Sequence, residues 1–506
     1  MIVSAVCLMF LQEAVHAEVV LPPVLSSHMV LQRGMKVPVW GTAAPGENVT
    51  VTFRDQEKST TADAQGKWKV SLDSLKEGGP DVLTVAGSNT LKLEDVLVGE
   101  VWLGSGQSNM FGPASEYVKK DEVKDEVLAK MVAAGPYPKI RLNRLDTAAS
   151  KGWTEANPEN LMGFSALLFS FGCPLQKELN VPVGLLVGAV AGESSGKFLS
   201  QEAFNSDPAC QVLVNSDTTG VTGTTWSGVI GQRYETIIRP CIPYAIRGVL
   251  WDQGESSTGV KNIDQYTLMG GLIKGWRKDW GQDFPFIYVQ KPSGGGCAWD
   301  NTDPVTSKGM PLKPLPNLVP GGREGGEGRD NYLRIRNYPN TFMSTSSDLS
   351  PTSEPTSEQL ANGIKYNNAG MHPENKSGSG ARAARVALGG VYGKEVEIYG
   401  PVYKSYKIEG NKVIISFDHV GKGLAFKKGE SVDKLQGFTI SGDAKTFNYN
   451  KPVFVWADAV IEGNTVVVSS DKVLNPVAVR YAWAKEHPWA NLFNKDGLPA
   501  LPFSTY

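Results

Sequence analysis

Histidine, cysteine and net charge are all scarce in this 506-residue chain, which has five histidines, five cysteines and 50 basic against 52 acidic residues. The near balance of charge disfavours a strongly basic nucleic-acid binder. A composition 41% hydrophobic and 20% charged excludes a disordered tail. No segment offers about 18 consecutive apolar residues, so no membrane-spanning helix is expected. The chain lacks H-E-x-x-H and its cysteines are widely spaced, so no metal is expected, and no cofactor. What is abundant is loop material: 55 glycines and 31 prolines exceed the usual ~7% and ~5%. At roughly 100 to 200 residues per domain the length predicts about three domains. Nothing in the sequence fixes an oligomeric state.

The first seventeen residues, MIVSAVCLMFLQEAVHA, are apolar from Ile2 to Leu11 and end at a small-residue site after Ala17. They resemble a secretory signal, although no Lys or Arg precedes the apolar run, and they predict a secreted or endomembrane-lumenal protein. Loss of Cys7 with this segment leaves Cys173, Cys210, Cys241 and Cys297. An even count suits disulfides in an oxidising compartment, with three pairings open. Asn48-Val49-Thr50 and Asn375-Lys376-Ser377 are candidate glycosylation sequons.

Short alternating runs such as VPVWG and VTVTF, separated by turns, predict a small β-sandwich-like domain over residues 18–95. The pattern then changes to apolar strands alternating with helical stretches. LEDVLVGEVWLG stops at Gly104-Ser105-Gly106, helices are predicted over 119–134, about 165–179 and 264–280, and VPVGLLVGAV, YAIRGVLWDQGE and FPFIYVQ supply further strands. Strands apolar on both faces belong to a parallel sheet covered by helices on both sides, which makes 96–395 an α/β domain. Residues 291–331, with GGGCAWD and GGREGGEGRD, interrupt it as a long loop of the kind that is usually functional or mobile. Short strands return after Gly400 and predict a C-terminal β domain over 396–506.

Ligands of an open α/β sheet gather at the carboxyl ends of its strands. Four loops meet that condition. Gly104-Ser105-Gly106-Gln107-Ser108-Asn109-Met110 can display a serine, or serve as a plain turn. It is not G-x-S-x-G, because position 110 is Met. Ala191-Gly192-Glu193-Ser194 can bring amides close to a developing oxyanion, and Gln253-Gly254-Glu255 adds an amide and a carboxylate. Of His28, His372, His419 and His487, only His372, in Gly370-Met371-His372-Pro373, lies in the α/β segment. A serine nucleophile needs such a base.

Taken in order, VWLGSGQSNM, NVPVGLLVGAVAGES, WDQGES and MHPENK resemble the sialate O-acetylesterase family of SGNH-type hydrolases, and LPPVLSSHMVLQRGMKVPVWG is similar to that family's opening β domain. The resemblance covers most of residues 20–400. It implies an SGNH-hydrolase-like sheet and a carbohydrate O-acetylesterase acting through an acetyl-enzyme intermediate. Ser108 matches the nucleophile, His372 the base, Gly192 and the Ser108 amide part of the oxyanion hole, and Gln253 its side-chain donor.

The family's usual Asp two residues before the histidine is Gly370 here, and Gly cannot orient an imidazole. Glu255 is the first expectation for the third member, Asp348 or Glu374 the next, and a Ser-His dyad or a weakly active chain the last. The expected partner is an acetylated carbohydrate: sialic acid first, then acetylated xylan or another polysaccharide. A carbohydrate-binding protein with reduced turnover is the non-enzymatic reading. Trp299, in the 291–331 loop, is the candidate for stacking on a sugar ring, or for pinning that loop.

Overall fold

The computed structural model describes residues 18–145, 152–215, 224–225, 228–321, 325–352, 355, 357–363, 367–442 and 454–506. The candidate signal, 1–17, lies outside them. The α/β region is built from strands β1 (Thr90–Gly106), β2 (Tyr137–Arg144), β3 (Thr154–Ala156), β4 (Val183–Ala189), β5 (Gly248–Asp252), β6 (Phe286–Val289) and β7 (Thr341–Ser344). Its helices are α1 (Ser108–Phe111), α2 (Ala166–Leu179), α3 (Gln265–Trp280), α4 (Asn368–Met371) and α5 (Lys376–Gly390).

The strands lie in the order β3-β2-β4-β1-β5-β6-β7. All neighbours run parallel except β3 against β2. The chain leaves β1 toward one side of the sheet and later returns to the other, so the sequence reverses direction around β1. That is the topological switch at which an α/β sheet opens a crevice.

Alternation along the strands divides two cores. Trp102, Leu250 and Ile287 face α2 and α5, whereas Leu103, Val249, Trp251 and Phe286 face α3. Each large side chain so buried contributes about 1.5–3 kcal/mol. Glycine lets α2 and α5 approach closely: a Cβ on Gly380 would lie 2.4 Å from Ser170. The predicted helices at 165–179 and 264–280 form as expected, each begun by a side-chain cap, Ser165 or Asp264, and ended by a left-handed residue, Asn180 or Gly281.

The helix expected over 119–134 is half hairpin. Val118–Lys119 pairs with Glu122–Val123, and the helix starts only at Glu126 because Asp125 caps it. β1 also differs from expectation in length. Its first half pairs with Gly78–Ala86 of the opening β region, so one strand runs across the boundary expected near residue 95.

The C-terminal region forms two four-stranded antiparallel sheets around a third core. The 291–331 segment is tied to it. Trp456 Nε1 donates to Pro316 O at 2.9 Å, Lys313 N to Pro488 O at 3.0 Å, and the buried Arg329 guanidinium reaches the carbonyls of Pro292, Gly294 and Lys485.

One expectation is corrected. Cys173, Cys210, Cys241 and Cys297 are all unpaired thiols. They sit on separate elements, and burial pushes the thiols of Cys210, Cys241 and Cys297 up to about 12. The Asn375 sequon is buried, its amide nitrogen donating to Pro304 O at 3.0 Å and Val305 O at 2.9 Å while its oxygen caps α5. Asn48 is exposed.

Candidate active site

Strand register brings three loops together. Gly106 at the end of β1 stands opposite Ala189 of β4 and Asp252 of β5. The backbone closes the arrangement, with Gln107 N donating to Asp252 O at 2.9 Å and Val190 N to Gly106 O at 3.0 Å. Gly106 is required: its φ is +126° and a Cβ would lie 2.1 Å from Asp252 O.

Ser108 is the first residue of α1, immediately past this junction. His372 follows α4, and its Nε2 lies 2.9 Å from Ser108 Oγ. To accept the hydroxyl proton Nε2 must be unprotonated, which puts the ring hydrogen on Nδ1. That nitrogen lies 3.0 Å from Asn368 Oδ1. Burial and the nearby Lys376 lower the His372 pKa below its ordinary value, while Glu255 works in the other direction. The remaining described histidines lie elsewhere: His28 pairs with Asp95, His419 with Glu397, and His487 is buried beside Arg329.

None of the three expected carboxylates hydrogen-bonds to the His372 ring. Glu255 Oε1 lies 2.6 Å from Lys291 Nζ and accepts from Asn109 Nδ2 at 2.8 Å. Asp348 forms a buried two-point pair with Arg382, and Glu374 faces Lys308 at 3.9 Å. In each case a basic side chain distant in sequence pairs with the carboxylate, and for Glu255 it engages Oε1 while Oε2 lies buried without a partner among the described residues.

Gln253 also departs from expectation. Its Nε2 donates to Ser257 O at 2.9 Å and its Oε1 accepts from Gln265, so this fully buried amide braces two loops rather than facing an oxyanion. Gly192 is more open. Its φ is +76°, nothing lies within 4 Å of where a Cβ would be, and its N–H, like that of Ser108, has no acceptor among the described residues. The Gly192 loop is held by Glu193, which pairs with Lys197 at 2.6 Å and Arg233 at 2.7 Å. Gln107 Nε2 lies 3.5 Å from Ser108 Oγ. Trp299 packs on Phe493, with ring centroids 5.2 Å apart, in a groove of about 720 Å³ that it shares with Arg382 and Arg385 of α5. That is the loop-pinning position.

Beneath Ser108 lies a buried charge network. Lys291 bridges Asp252 at 2.7 Å and Glu255 at 2.6 Å. Asn109 joins Glu255 to Lys376, whose Nζ is 2.5 Å from Asn109 Oδ1, and Asn109 Nδ2 also donates to Met371 O at 3.0 Å. Burial alone would lower the Lys291 pKa, but Asp252 and Glu255 override it and raise it. Lys376 has weaker compensation, and burial brings it down to about 8. The network therefore grips the peptide just before His372.

Residues 98–315 match the family model described as carbohydrate esterase, sialic acid-specific acetylesterase. The human sialate O-acetylesterase is 27% identical over 95% of this chain and 91% of its own, and that of Pongo abelii is 26% identical over the same shares. The crystal structure of a carbohydrate acetylesterase from Xanthomonas citri superposes with a TM-score of 0.75, at 27% identity, covering 96% of this chain and 99% of that one. The chain is a carboxylic ester hydrolase whose residues 98–315 carry a sialic acid-specific acetylesterase domain, and it is similar to sialate O-acetylesterases over most of its length.

In this esterase the residues that sequence reasoning missed were partly in view. Asn109 and Lys376 stand inside the motifs GQSNM and MHPENK. Asn368 lies four residues before His372, one helical turn away. Lys291 carried no local signal, because only the fold brings β6's end to β5's.

Proposed function

We propose that this esterase removes O-acetyl groups from sialic acids, with Ser108 as nucleophile and His372 as general base. The observation that carries the mechanism is the 2.9 Å contact between His372 Nε2 and Ser108 Oγ at the carboxyl end of β1. His372 takes the Ser108 proton as Oγ attacks the acetyl carbonyl. The Ser108 and Gly192 N–H groups donate hydrogen bonds to the negative charge that develops on the carbonyl oxygen, each such donor being worth about 3–4 kcal/mol. His372 then returns its proton to the departing sugar oxygen, leaving acetyl-Ser108. Water, deprotonated by the same imidazole, attacks this ester and releases acetate.

Sialic acid as the sugar is supported by the family model's description and by the named activity of the relatives. The same proposal assigns catalysis to residues 96–395, between the β regions 18–95 and 396–506, in a secreted or lumenal protein. The apolar run at 1–17 and the exposed Asn48 sequon support that location.

Acetate release from O-acetylated sialic acid and from acetylated xylan, by the wild type and Ser108→Ala, tests both parts. A higher kcat/KM on the sialic acid ester and a loss of at least ~10³-fold in Ser108→Ala are expected. Faster xylan deacetylation would overturn the substrate. Equal rates for the two proteins would overturn the mechanism.

A further inference from the structure

The family's usual aspartate is missing, and all three candidate replacements are engaged by basic side chains elsewhere. We propose that Asn368 is the positioning residue for His372, so that the third member of the relay is a neutral amide. This rests on the reading of Ser108 and His372 as nucleophile and base.

The backbone makes the contact local. α4 is a single turn in which His372 N donates to Asn368 O at 2.7 Å. Residues four apart on such a turn share a face, and the two side chains meet with Nδ1 3.0 Å from Oδ1. The turn is itself anchored at both ends. Asn367 caps it, its Oδ1 accepting from Ala369 N at 3.2 Å and its Nδ2 donating to Thr352 O at 3.0 Å. At the other end Asn109 holds the Met371 carbonyl.

An amide oxygen accepts and cannot donate, so with Oδ1 turned to the ring it favours the tautomer with hydrogen on Nδ1 and leaves Nε2 free to receive the serine proton. It supplies no negative charge to the imidazolium that follows. The nearby charges are Glu255 and Glu116, which favour the protonated ring, and Lys376 and Lys291, which oppose it. Asn368 thus orients the base without making it more basic. The molecule separates two duties that an aspartate combines, with orientation coming from α4 and charge balance from the buried network.

The test compares kcat, KM and the pH dependence of kcat/KM on p-nitrophenyl acetate for the wild type, Asn368→Ala and Asn368→Asp, with far-UV circular dichroism as a check on folding. Asn368→Ala is expected to lose ~10- to 100-fold in kcat with KM unchanged. Asn368→Asp is expected to stay within a few-fold of the wild type while its acidic limb moves up by about one pH unit, because a carboxylate beside the ring favours its protonated form.

A wild-type kcat in Asn368→Ala, or an unmoved acidic limb in Asn368→Asp, would overturn the proposal. The aspartate variant decides the matter if the alanine variant does not fold. Ser108→Ala and His372→Ala, run alongside, separate the two levels. If they stay active, the nucleophile and base are wrong. If they are inactive while both Asn368 variants behave as wild type, only the role of Asn368 is.

Discussion

His372 can accept the Ser108 proton only while it is neutral. Burial first, and Lys376 second, disfavour its charged form, so its pKa lies below the ordinary 6.5. A base with a lowered pKa stays neutral to lower pH. The acidic limb of kcat/KM is therefore predicted to fall below pH ~6.5, and Lys376→Met should move it upward by removing a nearby positive charge. An acidic limb above 6.5 in the wild type, measured on p-nitrophenyl acetate, would contradict this electrostatic account.

At this scale Ser108 and His372, which the structure brings within 2.9 Å, were legible because each lies inside a motif whose chemistry needs that residue type. The third member was not. Glu255 carries the right group at the right mouth, but Lys291 stands 2.6 Å from it and Asn109 takes the same oxygen. Both claims are tertiary, and no local pattern announces them. Asn368 was passed over for the opposite reason: its position was right, but an amide was not among the groups sought.

Elements turn these residues into a site. β1, β4 and β5 end in register, so the Gln107, Gly192 and Gln253 loops are neighbours before any side chain is considered. α5 adds the fourth loop, and Asn375 governs its start. Its oxygen caps Gly378 N at 2.7 Å and its nitrogen holds the 291–331 segment through Pro304 and Val305. Asn375→Ala should cost about 2–4 kcal/mol in urea denaturation, from the loss of one helix cap and two part-buried hydrogen bonds.

The same burial predicts that mass spectrometry of protein made in a glycosylating host finds Asn375 unmodified. A glycan on Asn375 in folded protein would contradict the packing. The sequence pattern revealed these helices where caps were strong, as at Ser165 and Asp264. It misread 119–134 because the charges there alternate as readily on a hairpin as on a helix.

Over the whole molecule, the catalytic sheet is continuous with the opening β region through β1 and joined to the C-terminal sheets through 291–331. That segment read as a free, glycine-rich loop because its partners in the C-terminal region lie more than a hundred residues away in sequence. The buried Arg329 illustrates this, donating to Pro292 O within the segment and to Lys485 O in the C-terminal region. Trp299, set against Phe493, belongs to the same seam.

Among the described residues no helix is long and apolar enough to cross a membrane. What this architecture is built to display is one serine beside one neutral histidine. The most direct measurement of that claim is rapid quenching during turnover of O-acetylated sialic acid, followed by peptide mass spectrometry. The account predicts one acetyl group on the peptide bearing Ser108, absent from Ser108→Ala, which should also release no acetate above background. Full acetate release with no acetyl group on Ser108 at any quench time, and undiminished turnover in Ser108→Ala, would contradict it.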